Sequence, residues 1–305
     1  MAGRKKKRSK IKKLFYIISA LILLVLIYGI AVEPYLIDTE EETVTVRNLP
    51  ESWEGEEIAV VGDFQTGMWA NNTAAARRVI DKIVDRKPKA VLLLGDFIYK
   101  PKDDLNENLK TVADYLKPLT KTDIPVYAVL GNHDYGMEKL KADPNEEAAR
   151  KLTGMLEGLG IEVLKNESVQ LATEENPFYL VGMGAKFPNN ANPEKAFATV
   201  EEQAPRMVLM HHPDTIEKIP NNAFSFAVAG HTHGGQIQIP LTPDWTWLTY
   251  TPRDLVHAAG WITGHGFDDK KLYVNKGIGF SYFPVRINCA PELTIFTLQS
   301  DESTA

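Results

Sequence analysis

Val91-Leu92-Leu93-Leu94-Gly95-Asp96 is a short apolar run closed by a glycine and a carboxylate, and the same layout recurs along the chain. Ile58-Ala59-Val60-Val61 leads into Gly62-Asp63-Phe64-Gln65, and Val126-Tyr127-Ala128-Val129-Leu130 into Gly131-Asn132-His133-Asp134. Met207-Val208-Leu209-Met210 precedes His211-His212-Pro213-Asp214, and Phe226-Ala227-Val228-Ala229 precedes Gly230-His231-Thr232-His233-Gly234-Gly235. A short apolar run without alternation reads as a strand buried on both faces, and open α/β sheets build their sites at the carboxyl ends of such strands. Five of the seven histidines lie in these closing segments. Asp, Asn and His placed repeatedly after strands point to a metal site assembled across a sheet.

The intervening segments carry helical patterns. Residues 73 to 86 read as an amphipathic helix, capped by Asn72 or Thr73 and stopped by Lys87-Pro88. Residues 105 to 117, Asn145 to Leu159 and 194 to 203 follow as further helices. Thr43-Val44-Thr45-Val46 alternates as an edge strand does. Val163-Leu164, Val169-Gln170-Leu171 and Phe178-Tyr179-Leu180-Val181 suggest strands of a second sheet, and Leu293-Thr294-Ile295-Phe296-Thr297-Leu298 a last strand. The alternation is βαβ first and richer in β later, which places the chain in the α/β class.

The N-terminus stands apart. Residues 1 to 13 hold eight basic side chains and no acid, and Leu14 to Val32 is a nineteen-residue stretch without charge, the length that crosses a bilayer core of about 30 Å. A secretory signal would show a shorter apolar core, so an uncleaved transmembrane signal anchor is expected. The basic head then stays in the cytoplasm and residues 33 onward face the outside, at the cell membrane. The expected organisation is a basic cytoplasmic head (1–13), an anchor (14–32), a linker and edge strand (33–48), one domain (49–300) and a tail (301–305). The acidic run Asp38-Thr39-Glu40-Glu41-Glu42 reads as solvated linker.

Net charge is −6, and −14 once the eight basic residues of the head are set aside. Nucleic acid is therefore not an expected partner, because phosphate neutralisation needs Lys and Arg. Cys289 is the single cysteine, so no intrachain disulfide forms and the fold rests on its core.

In order along the chain, Asp63, Gly95-Asp96, Gly131-Asn132-His133, His211 and Gly230-His231-Thr232-His233 resemble the calcineurin-like metallophosphoesterases, most nearly their membrane-anchored bacterial phosphodiesterases. The resemblance runs from about Leu49 to Leu298. It implies a two-sheet β-sandwich flanked by helices, holding two divalent metal ions (Mn, Fe or Zn). Asp96 would bridge them, with Asp63, Gln65 and His233 on one and Asn132, His211 and His231 on the other. Water activated between the cations would attack a phosphoester, and His133 would protonate the leaving group. The tether implies an envelope or lipid-linked phosphodiester as substrate. Monoester or pyrophosphate hydrolysis, or a tethered metal-binding scaffold, would use the same ligands.

This chain departs from the family pattern twice. Gln65 stands where an imidazole is usual, offering a neutral carbonyl oxygen instead. Tyr99 stands where many relatives carry the acid that orients the catalytic histidine; Asp134 is open to that task, though its position better suits it to serve its own loop. Arg286, Asn72, Trp245 and Trp247 are candidate substrate-side groups. His212, His257 and His265 match no ligand position and read as satisfied or exposed loop histidines.

Overall fold

A computed structural model of the protein describes residues 2–68, 72–101, 104–139, 141–172, 175–239, 246, 258–262, 270–281 and 283–301, with side chains from residue 9 onward. In chain order the helices are α1 (Ala2–Ala31), α2 (Thr73–Arg86), α3 (Leu105–Leu116), α4 (Glu146–Gly158) and α5 (Pro193–Ala196). The strands are β1 (Asp38–Val46), β2 (Glu57–Val61), β3 (Ala90–Leu93), β4 (Val126–Ala128), β5 (Glu162–Val163) and β6 (Glu167–Gln170), then β7 (Tyr179–Gly182), β8 (Arg206–Leu209), β9 (Phe226–Ala229), β10 (Gly260–Trp261), β11 (Leu272–Val274) and β12 (Glu292–Ser300).

They form two mixed sheets. One has the order β1-β12-β2-β3-β4-β5, the other β10-β11-β9-β8-β7-β6. β2 to β5 run parallel, as do β7, β8, β9 and β11. Alternate residues explain the unbroken apolar runs. Ile58, Val60, Leu92, Leu209 and Val228 point between the sheets, where they meet Phe178, Phe226 and Phe296. Ala59, Val61, Val91 and Leu93 point to the other side, beneath Val79, Ile80, Val112 and Leu152 of α2, α3 and α4. Val181, Val208, Ala227 and Val274 are covered by Ile216, Ile219 and Phe197. With both faces of each sheet covered, the central strands have no polar side, and period two disappears from their sequence.

α2 buries Ala75, Ala76, Val79, Ile80 and Ile83 along one stripe and ends at Lys87, which takes the left-handed conformation before Pro88. Asn145 caps α4 by accepting from Ala148 N, as its position before the helix suggests. Asn72 does not cap α2 in this way. Its amide donates to the carbonyls of Pro34 and Ile278.

Three local expectations are revised. The acidic run is strand, not linker: β1 pairs in parallel with β12 from Asp38 to Val46. Its carboxylates are partnered, Glu40 by Lys276, Glu41 by Arg86 and Glu42 by the Trp261 indole N–H. β5 joins the first sheet beside β4 instead of the second. The helix anticipated over 194–203 shrinks to the four residues of α5, because Phe197 leaves helical geometry and the backbone turns towards Ala204. Before β1, α1 is long and apolar enough to cross a membrane, and its apolar side chains are exposed.

Candidate metal centre

Five of the parallel strands, β2, β3, β4, β8 and β9, lead within a few residues to one the sequence singled out: Asp63, Asp96, Asn132, His211 and His231 respectively. The turns are tight. Asp63, Gln65, Asp96, His231 and His233 all have positive φ, between 52° and 73°. Outside glycine this region costs about 1–2 kcal/mol per residue and persists where surrounding structure enforces it. Its concentration on these side chains marks a site built at the expense of local comfort.

The side chains converge. His231 N donates to Asp63 Oδ2 at 2.9 Å, and His133 N donates to Asp96 Oδ1 at 2.9 Å. Gln65 Nε2 reaches Asp96 Oδ2 at 2.8 Å and His233 Nε2 at 3.4 Å. His211 Nδ1 lies 2.8 Å from the Leu94 carbonyl, which can only accept, so Nδ1 carries the proton. In the neutral ring that leaves the lone pair on His211 Nε2, which lies 3.3 Å from Asp96 Oδ2 and 3.3 Å from His231 Nδ1. Gly131 allows the closeness, since a Cβ there would fall 2.1 Å from Asp96 Oδ1 and 2.7 Å from His211 Cε1.

Two groups of ligand atoms result, each within 4.8 Å: Asp63, Asp96 and His233, and His211, His212 and His231. Asp96 touches both through His211. Neutral donors fill the gaps. Asn132 Oδ1, Gln65 Oε1 and His233 Nδ1 are buried and accept or give no hydrogen bond within the protein. A buried polar atom without a partner costs about 1–3 kcal/mol, which a cation would relieve. Oxygen and imidazole in this proportion suit two divalent first-row metals, so the residues present fit the group.

The electrostatics agree. Burial pushes Asp63 up to about 7. Burial also opposes charge on Asp96, but the imidazoles of His211, His133 and His231 outweigh it and hold that carboxyl below the usual range. For His211 burial favours the neutral form, yet Asp96 and Asp63 raise it to about 9. His233 is driven well down by burial, helped by the Arg286 cation, so its ring is neutral.

His133 sits on the rim of this cluster. Its Nδ1 is 2.9 Å from the Tyr99 carbonyl and its ring stacks on the Tyr99 ring at 5.0 Å. The backbone of Tyr99 therefore does what an acid side chain would do, fixing the tautomer and leaving Nε2 free. Asp134 is not that partner. Its carboxylate accepts from the N–H groups of Asp96, Gly131 and Ile98, so it ties two ligand loops together, and burial beside Asp96 pushes it to about 7.

Two expectations change here. Arg286 is fully buried, and its guanidinium donates to the carbonyls of Lys276, Gly277, Gly279 and Cys289. It has no donor facing a substrate and instead folds the loop that backs Asp63. His212 is neither exposed nor satisfied. It is buried, both ring nitrogens lack a hydrogen-bond partner, and it lies 4.3 Å from the His231 ring and 4.7 Å from that of His211. Burial, with His231 and His211 adding to it, holds it neutral. The only signal for it in the sequence is the doublet with His211. His257, His265, Trp245 and Trp247 lie outside the described residues.

Residues 57–235 match the calcineurin-like phosphoesterase family model. Phosphodiesterase YaeI of Escherichia coli (strain K12) is 33% identical over 219 residues, covering 70% of this chain and 72% of that protein. Uncharacterized metallophosphoesterase YkuE of Bacillus subtilis (strain 168) is 26% identical over 278 residues and 90% of each chain. UDP-2,3-diacylglucosamine pyrophosphatase LpxG of Chlamydia trachomatis is 25% identical over 259 residues, covering 73% of this chain and 77% of that protein. With the two clusters of ligand atoms at its strand ends, the chain belongs to the calcineurin-like phosphoesterase family and is a metallophosphoesterase.

Proposed function

We propose that the protein is a membrane-tethered phosphodiesterase whose catalytic domain faces the outside of the cytoplasmic membrane and acts on an envelope or lipid-linked phosphoester. The carrying observation is His133, held by the Tyr99 carbonyl and by Asp96 beside both ligand groups. Asp63, Gln65, Asp96 and His233 would hold one divalent cation, and Asn132, His211 and His231 the other, with His212 alongside. When bound, such a pair supplies Lewis acidity and a water acidic enough to serve as nucleophile near neutral pH. The protein groups do the rest. His211 presents Nε2 because Leu94 fixes its tautomer, and Asp134 keeps the Asp96 and Asn132 loops in register. With Nδ1 donating to Tyr99, His133 in its imidazolium form would give the proton on Nε2 to the departing alkoxide and be left neutral.

The tether reading rests on α1, with its basic head, and on the positive-inside rule. YaeI carries the name phosphodiesterase, and LpxG acts on a lipid-bearing nucleotide by its name, which supports a lipid-linked substrate and makes a pyrophosphate diester the second reading.

The test uses the full-length protein in detergent, stripped with chelator and reloaded with Mn. It compares an alkyl phosphodiester, a p-nitrophenyl phosphodiester and the matching monoester, with Asp96→Asn as the blank. Diester turnover above monoester turnover is expected, lost in the blank. His133→Ala lowers kcat for the alkyl diester about 10²–10⁴-fold and far less for the p-nitrophenyl ester, whose leaving group needs no proton. Equal losses on both would remove His133 as general acid, and monoester preference would overturn the diesterase reading.

A further inference from the structure

The end of α1 is not a free hinge. Arg286 N donates to the Gly29 carbonyl at 2.9 Å, and Gly29 is buried against Ile287 so closely that a Cβ would lie 2.7 Å from Ile287 Cγ1. Beyond it, Asn72 Nδ2 holds the Pro34 carbonyl at 2.6 Å, Arg78 Nη1 the Tyr35 carbonyl at 2.9 Å, and Glu33 is buried with Cys289 N on its carboxylate. Gly29 lies three residues inside the apolar run that ends at Val32, a rise of about 4.5 Å. The segment it touches is therefore level with the last turn of the apolar helix.

What surrounds that contact is apolar. Ile237 bridges Ile287 in parallel, Ile287 N and Gln238 N extend the pairing, and Gln236 Nε2 grips the carbonyls of Phe283 and Val285 at 2.7 and 2.8 Å. These bonds join residues 236–239 and 283–287 into one platform. Phe283 is 71% exposed, Ile239 49% and Ile237 45%, and the platform's single charged residue, Arg286, is buried on carbonyls. Exposed large apolar side chains gathered without charge mark a contact surface, and aromatics favour the lipid–water boundary. The platform begins at Gln236, three residues after His233.

Resting on the reading of α1 as a membrane anchor, we propose that this platform sits in the bilayer that holds α1, with Phe283, Ile237 and Ile239 at the boundary between headgroups and acyl chains. The metal centre then opens at the leaflet surface and receives phosphoesters still attached to their lipid.

The experiment takes the full-length protein in phosphatidylethanolamine–phosphatidylglycerol nanodiscs. Single nitroxide labels go at Phe283→Cys, at Leu23→Cys inside α1, and at Asp85→Cys, exposed near the end of α2 beside Arg86, whose partner Glu57 opens β2 at the end away from the ligand loops. Cys289 is buried and stays unlabelled. Collision with oxygen and with a water-soluble nickel chelate reads depth. Position 283 is expected to favour oxygen, between the deep value at 23 and the aqueous value at 85. Phe283→Asp is expected to cut turnover of a phosphodiester lipid in the same disc about tenfold and leave a soluble phosphodiester within about twofold. If 23 is deep while 283 matches 85, docking is wrong and the tether stands. If 23 is itself aqueous, the tether reading fails first and takes docking with it. Equal losses on lipid and soluble substrates for Phe283→Asp would also overturn the proposal.

Discussion

His211 is pinned through Nδ1 on the Leu94 carbonyl, and its other nitrogen faces Asp96 at 3.3 Å. Burial alone would keep the ring neutral, but Asp96 and Asp63 raise it to about 9, so without metal it is cationic at neutral pH. In the metal-free protein this contact stabilises the fold fully below the ordinary value of 6.5 and is lost as pH rises through about 9. Ligation needs the neutral ring, so metal and proton compete. Mn uptake should release a proton, and affinity should climb about tenfold per pH unit between pH 7 and 9 and then level off. Calorimetry in two buffers of different ionisation enthalpy checks this, and uptake without proton release would contradict it. The side chains that converge at the strand ends were legible because Asp, Asn and His each announce themselves after an apolar run. The orienting group of His133 was not. It is a backbone carbonyl, which every residue carries, so Tyr99 gives no sign of it in the sequence. His212 was hidden for a related reason, since its burial comes from Phe187, about 25 residues away, packing 4.7 Å from its ring.

Strands buried on both faces were readable at the scale of elements, and so was the alternating second half of β1, Thr43–Val46, but its acidic first half was not, because those carboxylates are partnered mainly from the other sheet. Lys276, just past β11, reaches Glu40 at 2.8 Å, Glu292 at 3.3 Å and Asp38 at 3.7 Å, while Trp261 of β10 donates to Glu42 at 2.9 Å. No local pattern in Asp38–Glu42 could signal a lysine and an indole supplied from more than 200 residues away. Glu292 is fully buried and depends on this lysine for charge compensation, its Oε1 being already taken by Tyr273, Asn275 and Thr294. Lys276→Met should cost about 3–5 kcal/mol, the range for breaking a buried ion pair from one side, and adding Glu292→Gln should recover part of it. Denaturant unfolding of the two variants measures the difference, and equal stability of both would show that the pair carries no such coupling. The pH dependence has a definite sign. The hydrogen bond from Lys276 outweighs burial and lowers the Glu40 carboxyl below 4.5, so its contribution is complete above that pH and disappears as pH falls through the lowered value.

For the whole molecule, if α1 is the membrane anchor proposed above, the question is whether it acts as a leash or a mount. A leash would let the acidic domain tumble above the membrane, and the effective concentration of the site at the leaflet would be averaged over that volume. The bonds at Gly29, Pro34 and Tyr35 make a mount, fixing the angle between α1 and the two sheets. The sequence could show an apolar helix followed by polar chain. It could not show docking, because the contact depends on the missing side chain of one glycine against Ile287. Gly29→Leu keeps α1 apolar, and leucine is a better helix former than glycine by somewhat less than about 1 kcal/mol, so insertion should be unaffected. Its side chain cannot fit where a Cβ alone would come within 2.7 Å of Ile287 Cγ1 and 2.9 Å of the Arg286 carbonyl. Detachment of the helix end should therefore expose residues 33–37 to added protease in nanodiscs, raising the cleavage rate there about tenfold or more as local opening becomes the ground state. Turnover of a soluble phosphodiester should persist, since no ligand loop is touched, while turnover of a lipid phosphodiester in the same disc should fall. Unchanged protection of residues 33–37 together with unchanged lipid turnover would mean that the contact at Gly29 holds nothing in place, and the anchor would be a leash.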